Sequence, residues 1–188
     1  MARPKEFDTE AALDGAIKVF SEHGYEGTSA QMLVDSMGIG RQSIYDTFGG
    51  KWQLYRAALR RYGSGECSAH FEALRKGPRA IDGLSAMLKR VVETAATPCL
   101  GMSSIYEFGT SKPDVTEINE PLASAMSSAI AAQIREAQRD GDVAADLDSE
   151  IATQFLKSAV AGIRLAGRSG ADLRTLMGLA EISLRSLR

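Results

Sequence analysis

Residues 24–59, GYEGTSAQMLVDSMGIGRQSIYDTFGGKWQLYRAAL, decide how this chain is read. Ala30, Leu33, Val34 and Met37 follow the i, i+3, i+4, i+7 spacing of a short amphipathic helix, and Thr28 and Ser29 just before them can cap its first turn. Gly38 breaks the pattern at a place where a tight turn needs positive φ. A second short helix is predicted over 41–48, with Ile44 and Phe48 on its apolar side and Arg41, Gln42 and Ser43 exposed at its start. Two short helices joined through a glycine turn, the second opening on polar side chains, make the geometry that lays a helix in the major groove of DNA.

Working outward, a helix over about 8–23 carries Leu13, Ile17 and Phe20 at helical spacing, with Ala16 beside them and Gly24 as a stop. A fourth helix starts near Lys51 with Leu54, Tyr55, Ala58, Leu59 and Tyr62; Gly63-Ser64-Gly65 would kink or interrupt it, although Phe71 and Leu74 continue its pattern. Further helices are expected over 77–97, 98–109, 111–139, 149–168 and 171–187, with an acidic, loop-like DGDVAADLD at 140–148. The chain therefore reads as all-α, with about nine helices. Sparse aromatics, at 6% of 188 residues, and many Ala, Ser, Leu and Met agree with helices rather than sheets.

A net charge of −2 gives no overall bias toward nucleic acid, but its distribution does. Residues 41–62 hold five basic side chains (Arg41, Lys51, Arg56, Arg60, Arg61) against one acidic, Asp46. Phosphate binding needs only such a local positive surface. Two cysteines, Cys67 and Cys99, are too few for a disulfide scaffold. The polar start MARPKEFDTEAA is no signal peptide, and no apolar run approaches the ~20 residues of a membrane span, so a cytoplasmic protein is expected. No catalytic, phosphate-loop or zinc-protease motif occurs, the histidines number two, His23 and His70, and neither an enzymatic activity nor a cofactor is expected.

The first fifty or so residues resemble the TetR family of bacterial transcriptional regulators, through Phe20, Gly24, Thr28, Gly38, Ile39, Tyr45, Phe48, Lys51 and Leu54. The Tyr-x-x-Phe-x-x-Lys run at 45–51 is the most specific part. Val34, where the family usually has Ala, and Gly40, where it usually has a capping Ser or Thr, depart from the pattern. The resemblance implies a helix-turn-helix DNA-binding domain over 1–50, a ligand-binding and dimerisation domain over 51–188, and a homodimer that binds a near-palindromic operator of double-stranded DNA. A repressor of this kind is released by a small-molecule effector.

On that basis Arg41, Gln42 and Ser43 are candidates for base contacts, and Ser29, Gln31, Tyr45, Thr47 and Lys51 for phosphate contacts. Arg3 and Lys5 form a short basic arm. Phe71, Met87, Val91, Cys99, Met102, Ile105, Tyr106, Leu122 and Met126 are candidates for lining the effector site, although core packing is the alternative for each; Arg90, Glu93 and Glu107 are polar candidates there. Small residues of the eighth helix (Ala159, Gly162, Ala166) and an apolar stripe on the ninth (Leu173, Leu176, Met177, Ala180, Leu184) are the expected dimer interface. Two alternatives stand beside this reading. Cys99, alone or with Cys67 and His70, could make the regulator thiol- or metal-responsive. The chain could instead be a helical small-molecule-binding protein that does not act on DNA.

Overall fold

The computed structural model describes residues 7–188; the expected basic arm, Arg3 and Lys5, lies outside them. Among the described residues there are nine helices and no strand: α1 Thr9–His23, α2 Ala30–Met37, α3 Arg41–Phe48, α4 Lys51–Leu74, α5 Ala80–Glu93, α6 Leu100–Phe108, α7 Pro113–Arg139, α8 Ser149–Arg168 and α9 Leu173–Arg185. The all-helical expectation holds. Local chemistry accounts for most boundaries. Asp8, Asp148 and Asp172 cap α1, α8 and α9 with side-chain carboxylates. α2 starts at Ser29, whose Oγ accepts from Met32 N at 3.2 Å. It stops at Gly38, left-handed at φ 67°, ψ 20°, a conformation that a side chain with Cβ would strain.

Two elements differ from the sequence expectation. α4 runs unbroken through Gly63-Ser64-Gly65, because the apolar positions on either side supply enough packing to carry two weak helix formers. α5 is shorter than 77–97. Asp82 fixes its start by accepting from Arg79 N, and Thr94, whose hydroxyl donates to Arg90 O, closes its end.

The chain packs as two compact units. The first takes residues up to Gly65 together with Cys99–Glu120, and the second takes Glu66–Pro98 and Pro121–Arg188. Packing thus divides the chain elsewhere than at 50/51, since α6 and the start of α7 join the unit that holds the helix-turn-helix. The core of the first unit gathers Leu13, Ala16, Phe20, Leu33, Ile44, Leu54, Tyr55, Leu59, Leu100 and Val115. That of the second gathers Leu84, Leu88, Val91, Ile130, Ile134, Leu156, Ile163 and Leu176.

The pairing of α1 with α2 depends on Gly15. A Cβ there would stand 2.5 Å from the backbone oxygen of Ser36, whose hydroxyl in turn donates to Gly15 O at 3.0 Å. Backbone so close to backbone leaves no side chain to yield. Gly15→Ala is expected to destabilise the protein by about 1–3 kcal/mol, read as a lower urea midpoint at unchanged m-value.

Candidate nucleic-acid interface

α3 begins at Gly40, whose extended backbone offers no side-chain cap, so its first-turn N–H groups point outward from an uncovered helix start. Ile44 is the buried anchor of this helix. Around it Arg41 and Gln42 are exposed, Ser43 and Thr47 half-buried, and Tyr45 45% exposed. Arg41, Tyr45 and Lys51 share the lining of one shallow depression with Ala30, Leu33 and Ile44. The Arg41 guanidinium lies 5.9 Å from the centre of the Tyr45 ring, and Lys51 Nζ 4.3 Å from that of Tyr25. Gln42 and Gln31, both exposed, each donate to a carboxylate one turn on, Asp46 at 2.8 Å and Asp35 at 2.7 Å. Ser29 is exposed and engaged as the α2 cap.

The positive charge of 41–62 is partly spent inside the unit. Arg56 pairs with Asp114 at 3.2 Å. Arg61 pairs with Asp14 at 2.7 Å and with Glu10, and its hydrogen bond to Asp14 lowers that carboxyl below its usual range. Arg41 and Lys51 stand outside those pairs.

A clamp that sequence analysis missed ties α6 to the connection between α1 and α2. Glu107, on α6, accepts from the backbone N–H of Tyr25 at 2.8 Å and of Glu26 at 2.7 Å, in the connection between α1 and α2. It was expected to orient a ligand; the structure gives it this other task. Next to it Phe108 joins a cluster of rings. Trp52 and Tyr55 lie 5.6 and 5.7 Å from it, Tyr25 stands edge-on to Trp52 at 5.0 Å, and Phe20 edge-on to Tyr55 at 5.0 Å. Trp52 Nε1 donates to Asp114 at 3.1 Å. Partners about eighty residues apart leave no local pattern; a single tryptophan beside the helix-turn-helix was the one available signal.

The residues proposed for the effector site divide between the two units. Cys99, Met102, Ile105 and Tyr106 belong to the first, and Phe71, Met87, Val91, Leu122 and Met126 to the second. Met87 and Val91 are fully buried in the core of the second unit, with Phe71 and Met126 packed against it. Ile105 and Tyr106 are exposed, Cys99, Met102 and Leu122 half-buried, and Glu93 is exposed. Among the described residues no group of three or more His, Cys, Asp or Glu side chains could hold a metal. The Cys67 thiol faces Leu122 O at 3.9 Å, and burial raises its pKa. His70 belongs to a different network, so the metal-responsive alternative has no ligand set in this part of the chain.

That network is the main polar feature of the second unit. Glu66 on α4 receives Arg90 (α5) on Oε1 at 2.7 Å and on Oε2 at 3.3 Å, and Arg164 (α8) on Oε2 at 3.0 Å. Burial would raise the Glu66 carboxyl, but the Arg90 hydrogen bond, with the charges of Arg90 and Arg164, holds it below its usual range. His70 Nε2 lies 3.3 Å from Arg90 Nη1. Burial, then the Arg90 charge, pushes its imidazole down to about 4 against the pull of Glu66.

The expected dimer stripe needs correction. Leu176 and Ala180 lie in the core of their own chain, and Ala166, Met177 and Leu184 pack against it. Ala159 is half-buried, and Gly162 and Leu173 are exposed. The outward apolar face consists of Ile151, Phe155 and Leu165 on α8, at helical spacing with Ser158 and Gly162, and of Leu179 and Ile182 on α9. Both helices carry two apolar stripes, and periodicity does not say which one the core takes.

A head with a helix-turn-helix, tied to the helices that follow it, defines a DNA-binding regulator of the all-helical kind. Comparison with known proteins agrees. Residues 12–58 match the family of bacterial regulatory proteins described as tetR. Over 100% of both chains the protein is 30% identical to the helix-turn-helix transcriptional regulator YezE of Bacillus subtilis (strain 168). It is 33% identical to the transcriptional repressor ComR of Escherichia coli (strain K12), over 97% of this chain and 90% of that one. Among solved structures, a cysteine variant of the TetR family regulator CifR bound to 26-base-pair operator DNA superposes with a TM-score of 0.82 at 27% identity, covering 99% of this chain and 100% of that one. The chain belongs to the TetR family and is a transcriptional regulator.

His70 gives the second unit a pH signature. Its folded-state pKa is depressed from 6.5 to about 4, so its contribution is complete above pH 6.5 and is lost as pH falls toward 4. Urea unfolding at pH 7 and pH 4.5 is expected to show wild type losing about 2–3 kcal/mol more than His70→Asn, which lacks the titrating ring.

Proposed function

We propose that the protein is a homodimeric repressor that reads a near-palindromic operator with α3 and is released by a small-molecule effector held in its second unit. The observation that carries this is the gathering of Arg41, Tyr45 and Lys51 around one depression at the uncapped start of α3. Arg41 and Gln42 reach base edges, with Ser43 beside them. Tyr45, Thr47, Lys51, Ser29 and Gln31 position the duplex through phosphates. The operator-bound structure of CifR and the repressor ComR support this reading. It places the protein in the cytoplasm, where its DNA is, and assigns it no catalytic step. The functional border at 50/51 separates the part that reads DNA from the part that senses and pairs. Glu107 makes α6 the helix whose position the α1–α2 connection, and so α3, must follow.

The second copy covers Ile151, Phe155, Leu165, Leu179 and Ile182, large apolar side chains that a lone soluble chain would leave in water. Two heads then meet successive major grooves about 34 Å apart. No helix among the described residues is long and apolar enough to cross a membrane, so a lipid phase is not what covers this face by spanning.

In a fluorescence-anisotropy titration on the DNA flanking its own gene, Arg41→Ala and Gln42→Ala are each expected to cost about 1–3 kcal/mol on the operator and to relax preference at one base pair. Lys51→Ala should weaken all sequences alike and reduce the salt slope by about one. Unchanged operator affinity in both α3 variants would show that α3 is not the reading helix.

Nothing lies within 4 Å of a Cβ built at Gly162, so Gly162→Arg does not disturb the protomer itself. It is expected to turn a sedimenting dimer into a folded monomer, by clash and by burying an unpaired charge. A wild type that sediments as a monomer at micromolar concentration contradicts the assembly.

A further inference from the structure

We propose that the effector is an organic monocarboxylate with an apolar body, and that its carboxylate binds by taking the place of Glu66 between Arg90 and Arg164. The inference rests on the reading of the second unit as the effector-binding part. The three helices that supply this cluster, α4, α5 and α8, all place it within that unit.

Glu66 presents to Arg90 and Arg164 what a bound carboxylate would present. One oxygen meets Arg90, and the other is shared between Arg90 and Arg164, at 2.7 to 3.3 Å. Planar guanidiniums favour such forked contacts with carboxylates. The Arg164 side chain is only 8% exposed, so its charge has been taken out of water and needs an anion to stay there. Glu66 itself is 26% exposed and can leave for solvent at lower cost than the arginine it serves.

His70 adds a donor. Its neutral ring, accepting from Arg90 at Nε2, carries its proton on Nδ1, and that buried nitrogen has no hydrogen-bond partner. Two guanidiniums already arranged around one carboxylate suit a carboxylate better than a neutral ligand or a cation. Phe71, next to His70, and Val160, one helical turn before Arg164, are only partly buried and offer apolar surface to the remainder of the molecule.

Glu66 also stands at a mechanically sensitive place. It follows Gly63-Ser64-Gly65, the part of α4 with the weakest helix propensity, where Gly65 has nothing within 4 Å of a Cβ. Displacing Glu66 removes two tertiary anchors from α4 immediately after that stretch.

The test uses the full chain and isothermal titration with decanoate, with decanol as the neutral analogue of equal length. Wild type is expected to bind decanoate and to bind decanol at least about tenfold more weakly, the worth of a charge-assisted hydrogen bond. Arg164→Met and Arg90→Met should each lose about tenfold or more for decanoate and leave decanol unchanged. Glu66→Gln, which removes the charge of the internal competitor, should bind decanoate more tightly than wild type. Glu66→Asp, which withdraws the carboxylate by one methylene, reads the same direction should Glu66→Gln fail to fold by circular dichroism. Equal affinity for decanoate and decanol, no binding of octanoate, decanoate or dodecanoate, or weaker decanoate binding in the Glu66 variants would overturn the proposal. Operator binding is measured in parallel. Intact operator binding without carboxylate binding removes this inference alone, whereas carboxylate binding without operator binding removes the repressor reading and leaves this site standing.

Discussion

The clasp between Glu107 and the backbone of Tyr25 and Glu26 is the constraint on which the reading head depends. A carboxylate accepting two backbone N–H groups satisfies donors of the connection between α1 and α2, and charge-assisted bonds of this kind are about twice as strong as neutral ones. The rings of Phe20, Tyr25, Trp52, Tyr55 and Phe108 then close around it. α1, α4 and α6 are thereby held as one body, and α2 and α3 are carried on it. Gly15 completes the arrangement by letting α1 approach α2 to backbone distance.

The same clasp explains why the compact unit around the helix-turn-helix is discontinuous in sequence. Three helices suffice for the motif, but α3 buries only Ile44 fully and α2 only Leu33 and Met37. Such short helices have little stability of their own and take it from tertiary packing. Leu100, Phe108, Val115 and Ile118, from α6 and the start of α7, supply the missing apolar surface. The price of this arrangement is that the reading head cannot be detached at residue 50 without exposing that surface.

Charge is used differently in the two units. In the first, Arg56 and Arg61 are paired with Asp114, Asp14 and Glu10, and Arg41 and Lys51 stand outside these pairs. In the second, Glu66, Arg90, Arg164 and His70 are drawn away from water, where electrostatic interactions are less screened and an unpaired group costs more. An exposed charged surface suits phosphates, whereas a half-buried, preformed geometry suits discrimination between small molecules.

The sequence by itself determined the helices, the motif and the family. Ala30, Leu33 and Met37 at helical spacing, Gly38 at the turn and the Tyr45, Phe48, Lys51 run are local patterns, set by residues within one or two turns of each other. It also indicated that Arg41 and Gln42 are exposed, since a short helix with one apolar side has few other places for them. What only the tertiary structure decided is which groups meet across distance and which of two apolar stripes faces inward. Glu107 gave no sign of serving the α1–α2 connection, and Glu66 and Arg164, 98 residues apart, gave none of pairing. On α9 the stripe of Leu176 and Ala180 went to the core and that of Leu179 and Ile182 to the surface, the reverse of the expectation. Helical periodicity fixes the angle between two stripes on one helix; only the neighbours that pack against it decide which of them is buried.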